Sequence, residues 1–265
     1  MKKLLLFMFV ACMAFSARAQ QTYVLLTGVS KYPDRKAELN YTTNDVKRLD
    51  SVIFKKQSFI VQQITGKYVM CDTLSRRITA IAQLAKPEDT IIFFFAGHGL
   101  NGGIVMHDLS LFPYHDLINL LSLSKAKQKI CFIDACHSGS GVTDITNSYK
   151  SWGTEATNHK ISFVMGCRAD EYSYEDDKTG HGLFSQALLT GLAGNADGWG
   201  KDWGEGDNKG KGPKDKKVTL IELYHYVYND VTLKTKPGEK SPYPKQQHPQ
   251  LIGPGSAYDT VLTRW

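Results

Sequence analysis

Five apolar runs set the frame within which this chain has to fold. They are TYVLLTGVS (residues 22–30), FIVQQITG (59–66), TIIFFFAGHG (90–99), KICFIDAC (129–136) and KISFVMGC (160–167). The third carries three successive phenylalanines and no charge. A strand that is apolar at every position, not at every second one, needs cover on both faces, which is the condition of a parallel sheet. Helical patterns occupy the intervals. Val46, Leu49, Ile53 and Phe54 fall on one face of a helix capped by Thr43 or Asn44 and running to about Lys56. Leu74, Ile78, Ile81, Leu84 and Ala85 do the same for a helix over 72–85, with Asp72 as its cap and Pro87 as its stop. Further helices are expected over 114–123, 182–192 and 220–231. The alternation predicts an α/β fold with a mainly parallel sheet covered on both sides. Two loops interrupt it: one after Cys136, separating the fourth strand from the fifth, and a Gly-, Lys- and Asp-rich mobile stretch over 194–217.

The first twenty residues follow a different logic. Lys2 and Lys3 precede an apolar run from Leu4 to Phe15, and Ala17-Arg18-Ala19 forms a small-x-small cleavage pattern. This reads as a signal peptide over 1–19, with a single domain over 20–265. Export to the periplasm or the medium is expected; lipid anchoring at Cys12 is the weaker option. No later stretch is apolar for the 18 residues a membrane span needs. The formal charge is +6, but Lys2, Lys3 and Arg18 belong to the leader, which has no acid, so +3 remains. That excess does not point to nucleic acid.

Four cysteines lie beyond the leader. Cys131 and Cys167 sit inside apolar strands, where cysteine behaves as a small hydrophobe. No CxxC or Cys/His spacing suggests zinc. Cys136 stands apart: Asp134 precedes it by two, His137 follows it, and SGSG comes next. Ligands of parallel sheets bind at the carboxyl ends of the strands. His98 ends the third strand and Cys136 the fourth, each against glycine-rich turns. If these strands are neighbours, imidazole and thiol face one crevice. A thiol at its ordinary pKa of about 8.5 is mostly protonated at neutral pH, and a histidine in reach relieves it of that proton. The backbone N–H groups of Gly99 and Cys136 are candidates to bind the oxyanion that follows attack on a carbonyl. His137 is a rival base pointing elsewhere; His107, His115, His181 and His248 have no comparable setting.

The pair FFFAGHG and IDACHSGSG resembles the caspase-like cysteine peptidases, in the branch that includes metacaspases. Animal caspases carry Gln-Ala before the cysteine, with the histidine about 50 residues upstream; here Asp134 replaces the glutamine and the spacing is 38. LLTGVSKY, LNYTTNDV, MGCRADEYSYE, GLFSQALLTGL, VTLIELYHYV and KQQHPQLIG extend the likeness over nearly the whole chain. The resemblance implies a three-layer α/β/α sandwich around a mainly parallel six-stranded sheet. It implies peptide hydrolysis through a Cys136 acyl-enzyme, with His98 as base and acid, on peptides or proteins cut after Arg or Lys. Asp134 and Asp45 match the acids of such a basic pocket, and a guanidinium entering a desolvated site does need carboxylates. Asp170 and Glu171 are candidates for the cleft rim.

Many metacaspases depend on calcium. This chain matches that poorly: only Asp108 and Asp116 follow His98, and Asp207, Asn208 and Glu222 imitate an EF-hand with the wrong spacing. No metal or cofactor is expected. Lys150 and the lysines of 201–217 are where an enzyme of this specificity would cut itself, although an uncut loop is the simpler expectation. Two other functions share these residues: a non-catalytic module that binds peptides or proteins, and a thiol hydrolase acting on small molecules.

Overall fold

The structure, a computed structural model, describes residues 20–100, 102–136, 145–200, 212–239 and 241–265, with backbone alone for 145–150. The expected leader, with Cys12, lies outside the described residues. So do His137, Asp207, Asn208 and, of the lysines proposed for self-cleavage, Lys201, Lys209 and Lys211.

The strands, in chain order, are β1 (Thr22–Gly28), β2 (Ile60–Thr65), β3 (Thr90–Leu100), β4 (Gly103–Val105), β5 (Leu111–Pro113), β6 (Gln128–Cys136), β7 (Ile161–Met165), β8 (Glu175–Asp176), β9 (His181–Gly182), β10 (Lys217–Thr219), β11 (Gln250–Ile252) and β12 (Val261–Arg264). The main sheet runs β11-β7-β6-β3-β1-β2, with β4 and β5 folded against the end of β3. β1, β2, β3, β6 and β7 are parallel, and only β11 closes the edge antiparallel. β3 therefore lies at the centre, where its apolar sequence requires it to be. Phe93, Phe94 and Phe95 are all at most 1% exposed, and they point alternately to opposite faces. Full burial of one such ring is worth about 1.5–3 kcal/mol.

Among the described residues six α-helices cover the sheet: α1 (Thr42–Arg48), α2 (Cys71–Leu84), α3 (Tyr114–Ser122), α4 (Ile145–Asn158), α5 (Leu183–Thr190) and α6 (Leu220–Lys234). Leu25, Phe93, Phe95 and Ile133 pack with Leu74, Ile78, Leu117 and Trp152 on the side of α2, α3 and α4. Val24, Leu26, Phe94 and Phe132 pack with Val46, Phe184, Leu188 and Leu223 on the side of α1, α5 and α6. This is the expected three-layer α/β/α sandwich.

Three local expectations need correction. The first helix is not capped by Thr43 or Asn44; Ser30, at the end of β1, reaches across so that its Oγ accepts from Thr43 N at 3.1 Å. After Arg48 it widens into a π turn (Leu49–Ile53) and tightens into a 3-10 turn (Phe54–Gln57), ended by Ser58 at φ 57°. Asp72 is not a cap either: α2 begins one residue earlier, and Asp72 forms an exposed pair with Arg76 at 3.3 Å. Finally, the stretch after Cys136 is not simply a loop, because α4 fills much of it. Its Thr, Asn, Ser and Gly are weak helix formers, and Trp152 and Ala156, buried against the core, hold it in place.

Gly28 joins this frame to the site. A Cβ there would lie 2.8 Å from the Thr42 carbonyl and 2.9 Å from Val46 Cγ2, so α1 rests directly on the end of β1. Gly28→Ala is expected to cost about 1–3 kcal/mol, as overpacking does, read as a lowered urea midpoint. An unchanged midpoint would show that the helix can back away freely.

Candidate active site

β3 and β6 are direct neighbours, and His98 stands opposite Cys136 in their parallel register. The spatial condition set by the sequence is thereby met. Both residues line one cavity, with Asp45, Thr42, Gly97, Asp134, Ser173, Tyr174, Glu175 and Gly182. The cavity measures about 60 Å³, the share of liquid volume of roughly two waters, so a long side chain must widen it to enter. Gly99 abuts the thiol's backbone: a Cβ there would meet the Cys136 carbonyl at 2.5 Å.

His98 is fixed from two sides. Its Nε2 lies 2.7 Å from the Ala37 carbonyl, and its backbone N–H donates to Tyr32 Oη at 2.9 Å. A carbonyl only accepts, so Nε2 carries the hydrogen and Nδ1 keeps the lone pair in the neutral ring. The Tyr32 ring packs on the imidazole at 4.9 Å, and burial pushes its phenol up to about 12. Tyr32 therefore stays neutral and holds the ring without competing for its proton.

The Cys136 thiol is clasped by the backbone of Ser173. Sγ accepts from Ser173 N at 3.1 Å and donates to Ser173 O at 3.4 Å. Burial pushes the thiol up to about 11; the amide of Ser173 opposes this, and the charges of Asp134 and Glu175 add to it. In the resting state it is protonated, and it needs a base at the moment it attacks. Cys131 and Cys167 are fully buried, as strand hydrophobes should be, and burial raises Cys131 beyond any physiological titration.

Beside the thiol lie two buried carboxylates. Asp134 Oδ1 accepts from Ser173 Oγ at 2.5 Å, and Oδ2 accepts from Ser185 N at 3.1 Å and Ser185 Oγ at 2.5 Å. Asp45 Oδ1 accepts from His181 Nδ1 at 2.6 Å, and Oδ2 from Gly182 N at 3.4 Å. Only a glycine fits between them: a Cβ on Gly182 would fall 2.6 Å from Asp134 Oδ2 and 3.5 Å from Asp45 Oδ2. Burial raises both groups, Asp45 to about 7 against the pull of His181. Two acids so placed favour an incoming cation.

Other expectations land differently. Neither Asp170 nor Glu171 lines the cavity. Asp170 is exposed, while Glu171 turns inward and fastens the C-terminal segment, accepting from His248 Nδ1 at 2.5 Å and His248 N at 2.7 Å. The acid that reaches the cavity is Glu175, held by the N–H groups of Asn40 and Tyr41 at 2.9–3.1 Å. It sits in the same acidic stretch, but nothing in one sequence distinguishes it from its neighbours. His181 and His248 likewise have partners that spacing could not reveal. Glu222 is occupied in a capping box with Thr219 at the start of α6. Among the described residues no three His, Cys, Asp or Glu side chains are arranged to hold a metal. A second cavity, about 630 Å³, lies at the amino edge of the sheet around Thr22, Lys127, Gln128 and Arg264. Neither a cysteine nor a histidine lines it, whereas the smaller cavity is lined by both.

No curated protein matches this chain. Among solved structures, protein GSU0716 from Geobacter sulfurreducens superposes with a TM-score of 0.60 at 14% identity, covering 91% of this chain and 97% of the other. At that identity the likeness concerns the fold alone. A family model described as the caspase domain, of the C14 peptidases, matches residues 21–252. With a match of that extent over a parallel sheet whose strand ends bring His98 and Cys136 together, the chain belongs to the caspase-domain family of cysteine peptidases.

Proposed function

We propose that this protein is an exported cysteine endopeptidase that cleaves peptides and proteins after Arg or Lys. The observation that carries this reading is the pairing of His98 with Cys136 in one cavity with Asp45 and Asp134. His98 Nδ1 takes the thiol proton as Sγ bonds to the scissile carbonyl carbon. The oxyanion settles toward the N–H groups of Gly99 and Cys136. Collapse breaks the C–N bond, the amine leaves with the proton from His98, and a thioester remains. Water, deprotonated by the same imidazole, hydrolyses it and restores the thiol. The substrate's basic side chain pairs with Asp45 and Asp134, with Glu175 as a third charge at the wall. Export rests on the leader sequence. Among the described residues no helix is long and apolar enough to cross a membrane.

The test is hydrolysis of reporter peptides ending in Arg or Lys by the reduced protein lacking residues 1–19. His98→Ala should lower kcat by about 10²–10⁴-fold, the range for loss of a positioned acid–base group. Absence of turnover on every basic reporter, with no labelling by a basic peptidyl chloromethylketone, would overturn the reading. A second reading, a peptide-binding module without turnover, draws on the thiol held protonated in a narrow cavity. It requires that basic peptides bind and emerge uncut, and that His98→Ala leave their affinity unchanged.

A further inference from the structure

We propose that His181 is the specificity-determining residue of the acidic pocket: its Nδ1–H supports the Asp45 carboxylate, and protonation of Asp45 weakens the preference for a basic substrate side chain as the solution is acidified. The inference rests on the reading of the cavity as a pocket for Arg or Lys.

The geometry begins with a short hairpin. β8 and β9 pair antiparallel, Glu175 with Gly182 and Asp176 with His181. The hairpin is docked on the segment before α1: Glu175 takes the amides of Asn40 and Tyr41, and Tyr41 Oη donates to Asp177 at 2.9 Å. This docking aims the imidazole inward. His181 Nδ1 comes to 2.6 Å of Asp45 Oδ1, with 13% of the His181 side chain and 2% of the Asp45 side chain exposed. The carboxylate is dry and takes its hydrogen bond from the ring. Among the described residues no lysine or arginine pairs with Asp45 or Asp134. Asp45 thus answers to a ring N–H donor and not to a fixed cation.

The other titratable groups lining the cavity are Asp134 and Cys136 from β6, Glu175 from β8, His98 from β3 and Tyr174, and Asp176 stands opposite His181 in the hairpin. The His181 N–H supports the ionised form of Asp45, in which the pocket is at its most negative. Acidification adds a proton to the Asp45 carboxyl, which burial has raised to about 7 against the pull of His181. That removes one unit of negative charge from the site that a guanidinium must enter.

Matched peptides with Arg or its uncharged isostere citrulline at the cleaved position separate this effect from titration of the catalytic groups, which cancels in the ratio of their kcat/KM values. The ratio should fall about tenfold as pH drops from 8 to 6, roughly the loss of one charge contact. His181→Ala should lower it about tenfold at pH 7.5, chiefly through KM, because Asp45 without its donor holds its proton to higher pH. The ratio should then recover as pH rises toward 9. His181→Asn places an amide N–H where Nδ1 stood; it should restore the ratio to within about threefold. A ratio independent of pH in the wild type, or equal losses on both peptides in His181→Ala, would overturn the proposal. Agmatine binding to the Cys136→Ala protein, followed by calorimetry across the same pH range, keeps the two readings distinguishable. Binding that weakens on acidification, beside a wild-type protein that cuts no basic reporter, removes the peptidase reading and sustains the role of His181; pH-independent binding or none removes that role.

Discussion

Cys136→Ala is expected to reduce hydrolysis of an Arg-ended reporter to background, a loss on the order of 10⁴-fold or more, as when a covalent nucleophile is removed. No neighbouring group can substitute for it. Ser173 offers the cavity its backbone, while its hydroxyl donates to Asp134 and accepts from Gln247 at 3.1 Å. Cys131 and Cys167 are buried, and Cys71, 3.2 Å from the Ser110 hydroxyl, does not line the cavity. Labelling by a basic chloromethylketone should therefore be stoichiometric, map to residue 136 by mass spectrometry and vanish in the variant. Because the thiol is raised to about 11 in the resting state, it is not a standing thiolate. His98→Ala should consequently suppress labelling as well as turnover. Retained turnover in Cys136→Ala would assign the chemistry to another group.

Asp134→Asn is expected to lower kcat/KM on Arg peptides about 10³-fold while leaving citrulline peptides within a few-fold. Truncating one charge of a desolvated pair typically costs 2–5 kcal/mol, at 1.4 kcal/mol per decade. The amide keeps the shape of the carboxylate, and the hydroxyls of Ser173 and Ser185 can turn to suit it. Stability should move the opposite way. Burial raises the carboxyls of Asp134 and Asp45, so the folded chain binds their protons more tightly than the unfolded chain does. The resulting stabilisation is complete below the ordinary carboxylate pKa of about 3.9. For Asp45 it is lost as pH rises through about 7. At pH 7.5 ionisation of these groups thus opposes folding, and Asp134→Asn should melt no lower than the wild type. Equal losses on Arg and citrulline peptides, together with a lowered melting temperature, would make Asp134 a structural residue instead. Acids that weaken the fold while serving the site are the expected mark of function over stability.

The layout of the sheet was legible because burial on both faces leaves a local record. β1, β3, β6 and β7 read as unbroken apolar runs, and their ends could be placed to within about two residues. The positions of His98 and Cys136 followed, since a strand that stops in glycine presents its last polar side chain at the sheet's edge. Asp45 was legible only through resemblance, while Asp134 also stood out as a carboxylate ending a buried strand beside the thiol. In isolation Asp45 is an ordinary first-turn acid of a helix. The helix α4 was missed because its residues are poor helix formers, held by Trp152 and Ala156 packing on the core.

What the sequence by itself determined is the order of strands and helices, the apolar identity of the two layers and the presence of a thiol and an imidazole at strand ends. Tertiary structure alone decided which groups meet. It made β3 and β6 neighbours, turned Glu171 inward and Glu175 toward the cavity, and brought His181 across to Asp45. The physical reason is one of range. Hydrophobic period and turn chemistry act between residues a few positions apart and can be read along the chain. The contacts that raise a carboxyl or orient an imidazole join residues distant in sequence, and they exist only once the layers have docked.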